Sequence, residues 1–82
     1  MVKLRYNRIT GRFDCYQNGE YITTLTCGDR FTMYADDEDA YYTGRIEHHI
    51  DNGYYFTDTS GDYVLYLYSG LEGMINNEKM VY

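Results

Sequence analysis

The chain has no proline and no tryptophan, and only two cysteines and two histidines among its 82 residues. Two sulfurs and two imidazoles are all that a soft-metal site could draw on, and Cys15 and Cys27 lack the CxxC spacing of such sites. No apolar run approaches the roughly 18 residues of a membrane span. The opening residues lack the basic, apolar, then small order of a signal peptide. The expectation is therefore a cytoplasmic protein with no membrane partner. In that reducing compartment both cysteines should be free thiols, buried in strands as small hydrophobes. A long helical period, an internal repeat and a linker are also missing, which excludes coiled coils and helical arrays.

Basic residues are scarce as well. Seven Lys and Arg stand against 13 Asp and Glu, for a net charge of -6. The imbalance is uneven along the chain. Residues 1–12 carry Lys3, Arg5, Arg8 and Arg12 and no acid, a net +4, while the remaining 3 basic and 13 acidic residues give -10. An acidic body repels the phosphate backbone whose neutralisation dominates nucleic-acid affinity, so direct nucleic-acid binding is disfavoured. A partner with a basic surface, or simple solvation, suits it better.

Aromatic residues are plentiful, with 12 Tyr and 3 Phe making 18% of the chain. That content excludes disorder, and the length fits one domain with a small core. The pattern is β throughout. Lys3 to Tyr6 alternates polar and apolar residues, as a half-buried strand does. Arg12 to Gln17 and Glu20 to Thr26 flank Asn18-Gly19, the strongest short hairpin signal, because both residues accept a positive φ. Arg30 to Ala35 alternates again, with Phe31 and Met33 on one face and Thr32 and Tyr34 on the other. The acids Asp36-Asp37-Glu38-Asp39 read as an exposed loop, after which Tyr41 to Ile50 forms a long strand. Asp51-Asn52-Gly53 turns the chain into Tyr54 to Asp58. Tyr63 to Tyr68 is a doubly buried strand or a short helix, and its β-branched and aromatic content favours the strand. Ser69 to Gly73 reads as a tight turn or one turn of 3₁₀ helix, and Met74-Ile75 as a short last strand.

Turn signals about every 8–12 residues indicate an all-β domain. A sandwich is tight at this length. A strongly bent barrel of roughly five to seven antiparallel strands fits better and removes exposed edges. The domain is expected over residues 1–75, with 76–82 as a tail.

The order of turns is also familiar. It runs through Thr10-Gly11-Arg12-Phe13-Asp14, Leu25-Thr26-Cys27-Gly28-Asp29-Arg30-Phe31, Gly44-Arg45-Ile46-Glu47, Tyr54-Tyr55 and Leu67-Tyr68-Ser69-Gly70-Leu71-Glu72-Gly73-Met74-Ile75. Over about residues 4–75 the chain resembles the small bacterial domain-of-unknown-function family 5348, found in Gram-positive gut bacteria and their mobile elements. The resemblance implies a cytoplasmic, SH3-like β-barrel often encoded on mobile DNA. It carries over no activity and no catalytic residue. The acidic loop and the density of tyrosine stand apart from the family pattern.

Candidate sites follow from those two features. Glu47 is the twelfth residue counted from Asp36, but the glycine that an EF-hand loop needs at its sixth position is Tyr41 here, and flanking helices are absent. His48 and His49 are adjacent on a strand and point to opposite faces. Ser60 and Ser69 lie in turns without a Ser-His-Asp order, and no local context activates either cysteine. No enzyme activity, metal or cofactor is expected. Adjacent tyrosines on a strand place one ring in the core and leave the other for contact, and tyrosine is a frequent anchor at interfaces. The expected site therefore comprises Asp36, Asp37, Glu38 and Asp39 for charge, with Tyr41, Tyr42, Tyr54 and Tyr55 as anchors. The leading expectation is a non-enzymatic module that docks a protein. The alternatives are a DNA-mimic inhibitor of a nucleic-acid enzyme and a barrel that binds a small molecule or nucleotide.

Overall fold

In the computed structural model, which describes residues 1–75, the turn chemistry acts as the sequence suggests. Asn18 (φ 54°) and Gly19 (φ 81°) both adopt left-handed conformations. They join β2 (Arg12–Gln17) to β3 (Glu20–Thr24) by a two-residue turn whose twist matches that of the strands. With β1 (Val2–Asn7), these strands form an antiparallel meander. A second meander comprises β4 (Arg30–Ala35), β5 (Ala40–His49), β6 (Gly53–Asp58) and β7 (Val64–Tyr66). The last strand, β8 (Glu72–Ile75), lies between β1 and β4 and joins the meanders into one sheet, ordered β3-β2-β1-β8-β4-β5-β6-β7.

Period-two burial explains why this sheet curls. Phe31, Met33 and Ala35 of β4, Val2 and Leu4 of β1, Ile46 of β5 and Phe56 of β6 all turn to one side and are buried. Phe31 and Phe56 meet edge to face at a centroid distance of 6.2 Å, the arrangement that the ring quadrupoles favour. Burying each such side chain contributes about 1.5–3 kcal/mol. Two glycines allow the backbones to approach closely. A Cβ on Gly73 would lie 2.4 Å from the Thr32 carbonyl oxygen, and one on Gly44 would lie 2.0 Å from that of Thr57. A side chain at either position would push two strands apart.

The all-β, antiparallel architecture is as expected, while several details differ. Eight strands form among the described residues, because the short runs at Val64–Tyr66 and Glu72–Ile75 both enter ladders. The sheet is strongly bent yet its ladders do not close, with β3 and β7 as its edges. After β3 the chain instead crosses to β5, where the Gly28 N–H donates to the Ile46 carbonyl at 2.7 Å and the Ile46 N–H to that of Asp29 at 2.8 Å. β7 is not doubly buried, since Val64 is 52% exposed on this edge strand and only the flanking Leu65 turns inward against Phe56. Cys15 is a buried free thiol, as read from the sequence, and burial beside Asp14 and Asp29 pushes its pKa up to about 12. Cys27 departs from expectation. It is exposed in the turn after β3, with its Sγ 3.6 Å from Glu47 Oε1. The tail expected at 76–82 lies outside the described residues. No helix among those residues is long and apolar enough to cross a membrane.

Candidate functional site

The ladder between β4 and β5 runs up to the pair Ala35 and Ala40, so the acids of Asp36–Asp39 form the whole connecting loop. The Glu38 N–H donates to the Ala35 carbonyl at 3.2 Å, and the Asp39 N–H to that of Asp36 at 3.3 Å. Asp39 sits at φ 52°, a left-handed conformation that Asp tolerates better than most residues. The four carboxylates then divide into two pairs. The Tyr34 hydroxyl donates to Asp39 Oδ1 at 3.0 Å, and the Tyr42 hydroxyl donates to Glu38 Oε1. Donation to these carboxylates favours the protonated phenols, and burial with nearby negative charge adds to it, so both hydroxyls titrate above the usual tyrosine range. Asp36 and Asp37, by contrast, accept no side-chain hydrogen bond and form no ion pair among the described residues.

Around this tip the tyrosines are ordered by cross-strand pairing. Tyr34 and Tyr41 are partners on the outer face, with ring centroids 5.1 Å apart. Tyr42 is the partner of Met33 on the inner face, where it stacks on Tyr63 at 4.6 Å with the ring planes 10° apart. Tyr63 also meets Phe56 edge-on at 6.5 Å. Burial raises the Tyr63 pKa, and the charges of Glu38 and Asp37 raise it further. Beside the tip lies a cavity of about 340 Å³ whose lining includes Asp36, Asp37, Tyr63 and Tyr68.

The remaining expected anchors lie elsewhere. Tyr55 is opposite Glu47, six positions along β5 from Tyr41, which at strand rise places it about 20 Å from the acidic tip. There it packs on Tyr66 at 5.3 Å on the outer face, while Tyr54 packs on His48 at 4.5 Å on the inner one. Each adjacent tyrosine pair is thus split across the sheet as its period demands. The structure gathers Asp36–Asp39, Tyr41 and Tyr42 at one end of β5 and leaves Tyr54 and Tyr55 near the other. Between these ends, Arg45 Nε donates to Glu47 Oε2 at 2.5 Å, and this bond holds the Glu47 carboxyl below its usual range.

Tyr34, Tyr63 and Tyr68 were not among the expected site residues. Tyr34 was within reach of the sequence, because a four-residue loop closing on Ala35 and Ala40 makes Tyr34 the partner of Tyr41. Tyr63 and Tyr68 flank β7, a strand two places away in the sheet, and had no local signal that links them to the loop. A second cavity, of about 300 Å³, lies in the first meander and is lined by Lys3, Leu4, Arg5, Tyr16, Ser69 and Gly70. Its Arg5 guanidinium stands 4.2 Å over the Tyr16 ring, a cation–π contact.

Comparison with known proteins agrees with the resemblance noted from the sequence. The model of a family described as a domain of unknown function (DUF5348) matches residues 2–80, nearly the whole chain, and the protein belongs to that family. No curated protein and no solved structure matches it significantly.

Proposed function

We propose that this member of the DUF5348 family is a non-enzymatic module that docks a protein partner through the acidic end of its β4–β5 hairpin. One observation carries the reading. Asp36 and Asp37 are exposed at the tip and uncompensated among the described residues, while the acids beside them, Glu38 and Asp39, hold Tyr42 and Tyr34 in place. Uncompensated carboxylates beside ordered tyrosines match a basic surface in charge and offer it rigid aromatic area at low entropy cost. The tip and its neighbours Tyr34, Tyr41, Tyr42 and Tyr63 form the docking end, and Tyr54 and Tyr55 lie outside it. A cytoplasmic setting and carriage on bacterial mobile DNA belong to the same proposal.

The test uses a tagged chain and a variant carrying Asp36→Asn, Asp37→Asn, Glu38→Gln and Asp39→Asn. Proteins retained from the native host by the first and lost by the second are the expected partners. Charge steering acts mainly on association and weakens with salt. The variant should therefore bind a purified partner more slowly at low salt, and the gap should close as salt rises. Equal association rates at low salt would remove the acidic tip from the docking reading.

A second reading has its own observation. Lys3, Arg5 and Tyr16 converge on the cavity of the first meander, a combination that suits a small anion bearing a ring, such as a nucleotide. Titration with nucleoside monophosphates, followed by amide shifts at Lys3, Arg5 and Ser69, tests it. The absence of shifts there would remove it.

A further inference from the structure

The cavity beside the acidic tip has a composition that points to one kind of occupant. Its lining is more polar than apolar, and its small apolar base comes from the half-buried Leu65 beside the core residues Met33 and Leu71. Tyr63 and Tyr68 bring rings and hydroxyls to it, and the exposed Asp36 and Asp37 stand at its mouth. The apolar base would suit a hydrocarbon chain. Two carboxylates that accept no hydrogen bond within the described chain leave negative charge uncompensated at the entrance. The ring of Tyr63 is fixed before any ligand arrives, because Tyr42 stacks on it and Glu38 in turn holds the Tyr42 hydroxyl. Burial raises the Tyr63 pKa, and the negative charges of Glu38 and Asp37 in the same place raise it further.

We infer that this cavity receives an arginine side chain of the partner protein, with the methylenes over Leu65 and the guanidinium between the tyrosines and the carboxylates of Asp36 and Asp37. The inference rests on the docking reading and names its anchor. A guanidinium fits better than an ammonium for three reasons. Its plane stacks on aromatic rings. Its five N–H donors can satisfy carboxylate and phenol oxygens together. It is also more weakly hydrated, so it loses less on leaving water. The cavity volume of about 340 Å³ leaves room for such a chain without displacing Tyr63 or Leu65.

The test is amide-resolved NMR titration of the whole chain with three small probes and two peptides. N-acetyl-argininamide should shift Asp37, Tyr63, Tyr68 and Leu71 with a dissociation constant in the millimolar range. The lysine analogue should bind about threefold or more weakly, and the neutral citrulline analogue should leave these amides unmoved. Asp36→Asn with Asp37→Asn should weaken argininamide binding about fivefold or more. Tyr68→Leu, at an exposed position, should do likewise, whereas Tyr63→Phe should keep the ring and most of the binding. Equal shifts from the citrulline and arginine probes, or argininamide shifts confined to other surfaces, would overturn the inference. A deca-arginine and a deca-lysine peptide separate it from the broader reading. If both move the Asp36–Asp39 amides while argininamide leaves the cavity silent, docking at the tip stands and the arginine pocket falls. If neither peptide moves the tip, the docking reading falls with it.

Discussion

The two hairpins β2–β3 and β4–β5 solve the same problem by different means. The first reverses the chain with Asn18 and Gly19 alone, and backbone conformation does all the work. The second uses four acids in a row, of which Glu38 and Asp39 bind tyrosine hydroxyls while the carboxylates of Asp36 and Asp37 accept no hydrogen bond among the described residues. A hairpin does not need four carboxylates. Their mutual repulsion opposes the turn, and only two of them offset it with hydrogen bonds. The docking reading assigns the excess charge at the second hairpin to a partner, and the first hairpin is its internal control.

The largest expected effect comes from the long strand of the acidic hairpin. Gly44→Ala would put a Cβ 2.0 Å from the Thr57 carbonyl oxygen, 2.6 Å from the Asp58 Cα and 2.8 Å from the Thr57 carbonyl carbon. All three are backbone atoms, so β5 and β6 must separate rather than a side chain rotate. The loss of stability should reach about 3 kcal/mol or leave the chain unfolded. Urea unfolding measures it, and a midpoint equal to that of the parent chain would show that the two strands are looser than described. The first hairpin should be milder. Gly19 has open space around it and only its φ of 81° to defend. Gly19→Ala should therefore cost about 1 kcal/mol, the left-handed penalty alone. If the two substitutions cost the same, close approach and turn conformation are not separable in this sheet.

Much of this contrast was legible in the sequence, and the exceptions have physical causes. Alternation at Arg30–Ala35 placed Phe31 and Met33 inward, and Asn18-Gly19 set the first turn, because both signals act within a few residues. Cys27 looked like the end of a strand since Thr26 and Leu25 precede it, yet Asp29 caps the turn by accepting the Thr26 N–H at 2.9 Å, and the thiol is left outside. Val64 and Leu65 looked doubly buried because apolar composition does not reveal whether a strand lies at an edge. The acidic tip was legible as a loop, but the division of its four acids into two pairs was not. That division depends on Tyr34 and Tyr42, which reach the loop only through the strand register. The stack of Tyr42 on Tyr63 depends on a strand two places across the sheet.

A smaller effect distinguishes the paired acids from the free ones. Tyr34 and Tyr42 donate to carboxylates, so their folded pKa values lie above the ordinary value of 10.0. A raised folded pKa means that the stabilising contribution is complete below pH 10 and is lost as pH rises through the folded values. Absorbance of tyrosinate near 295 nm should therefore show a late-titrating group. Glu38→Gln should return Tyr42 towards 10 and leave Tyr34 late, and Asp39→Asn should do the reverse. Titration curves that do not change in either variant would mean that these hydrogen bonds do not persist in solution.

The smallest effect on the fold is expected at the two free acids, and it is the most informative for function. Asp36→Asn with Asp37→Asn keeps the size and polarity of the loop and removes charge that accepts no hydrogen bond and forms no ion pair among the described residues. Surface changes of this kind usually stay within about 0.5 kcal/mol, and relief of repulsion along the loop would shift stability upward if at all. Glu38→Gln with Asp39→Asn removes the same formal charge from the pair that holds Tyr42 and Tyr34. The two double variants are thus equal in net charge and differ only in what the carboxylates touch. If the tip docks a basic partner by steering alone, both should slow association equally at low salt. If Asp36 and Asp37 contact the partner directly, their loss should also hasten dissociation, because breaking a buried charge pair acts on the bound state. The second variant should instead lose affinity through looser tyrosines, with its late-titrating phenols restored to normal. Stability by urea, phenol titration and binding kinetics on these two proteins separate the roles, and a drop in stability confined to the Asp36, Asp37 variant would show that the free acids serve the fold after all.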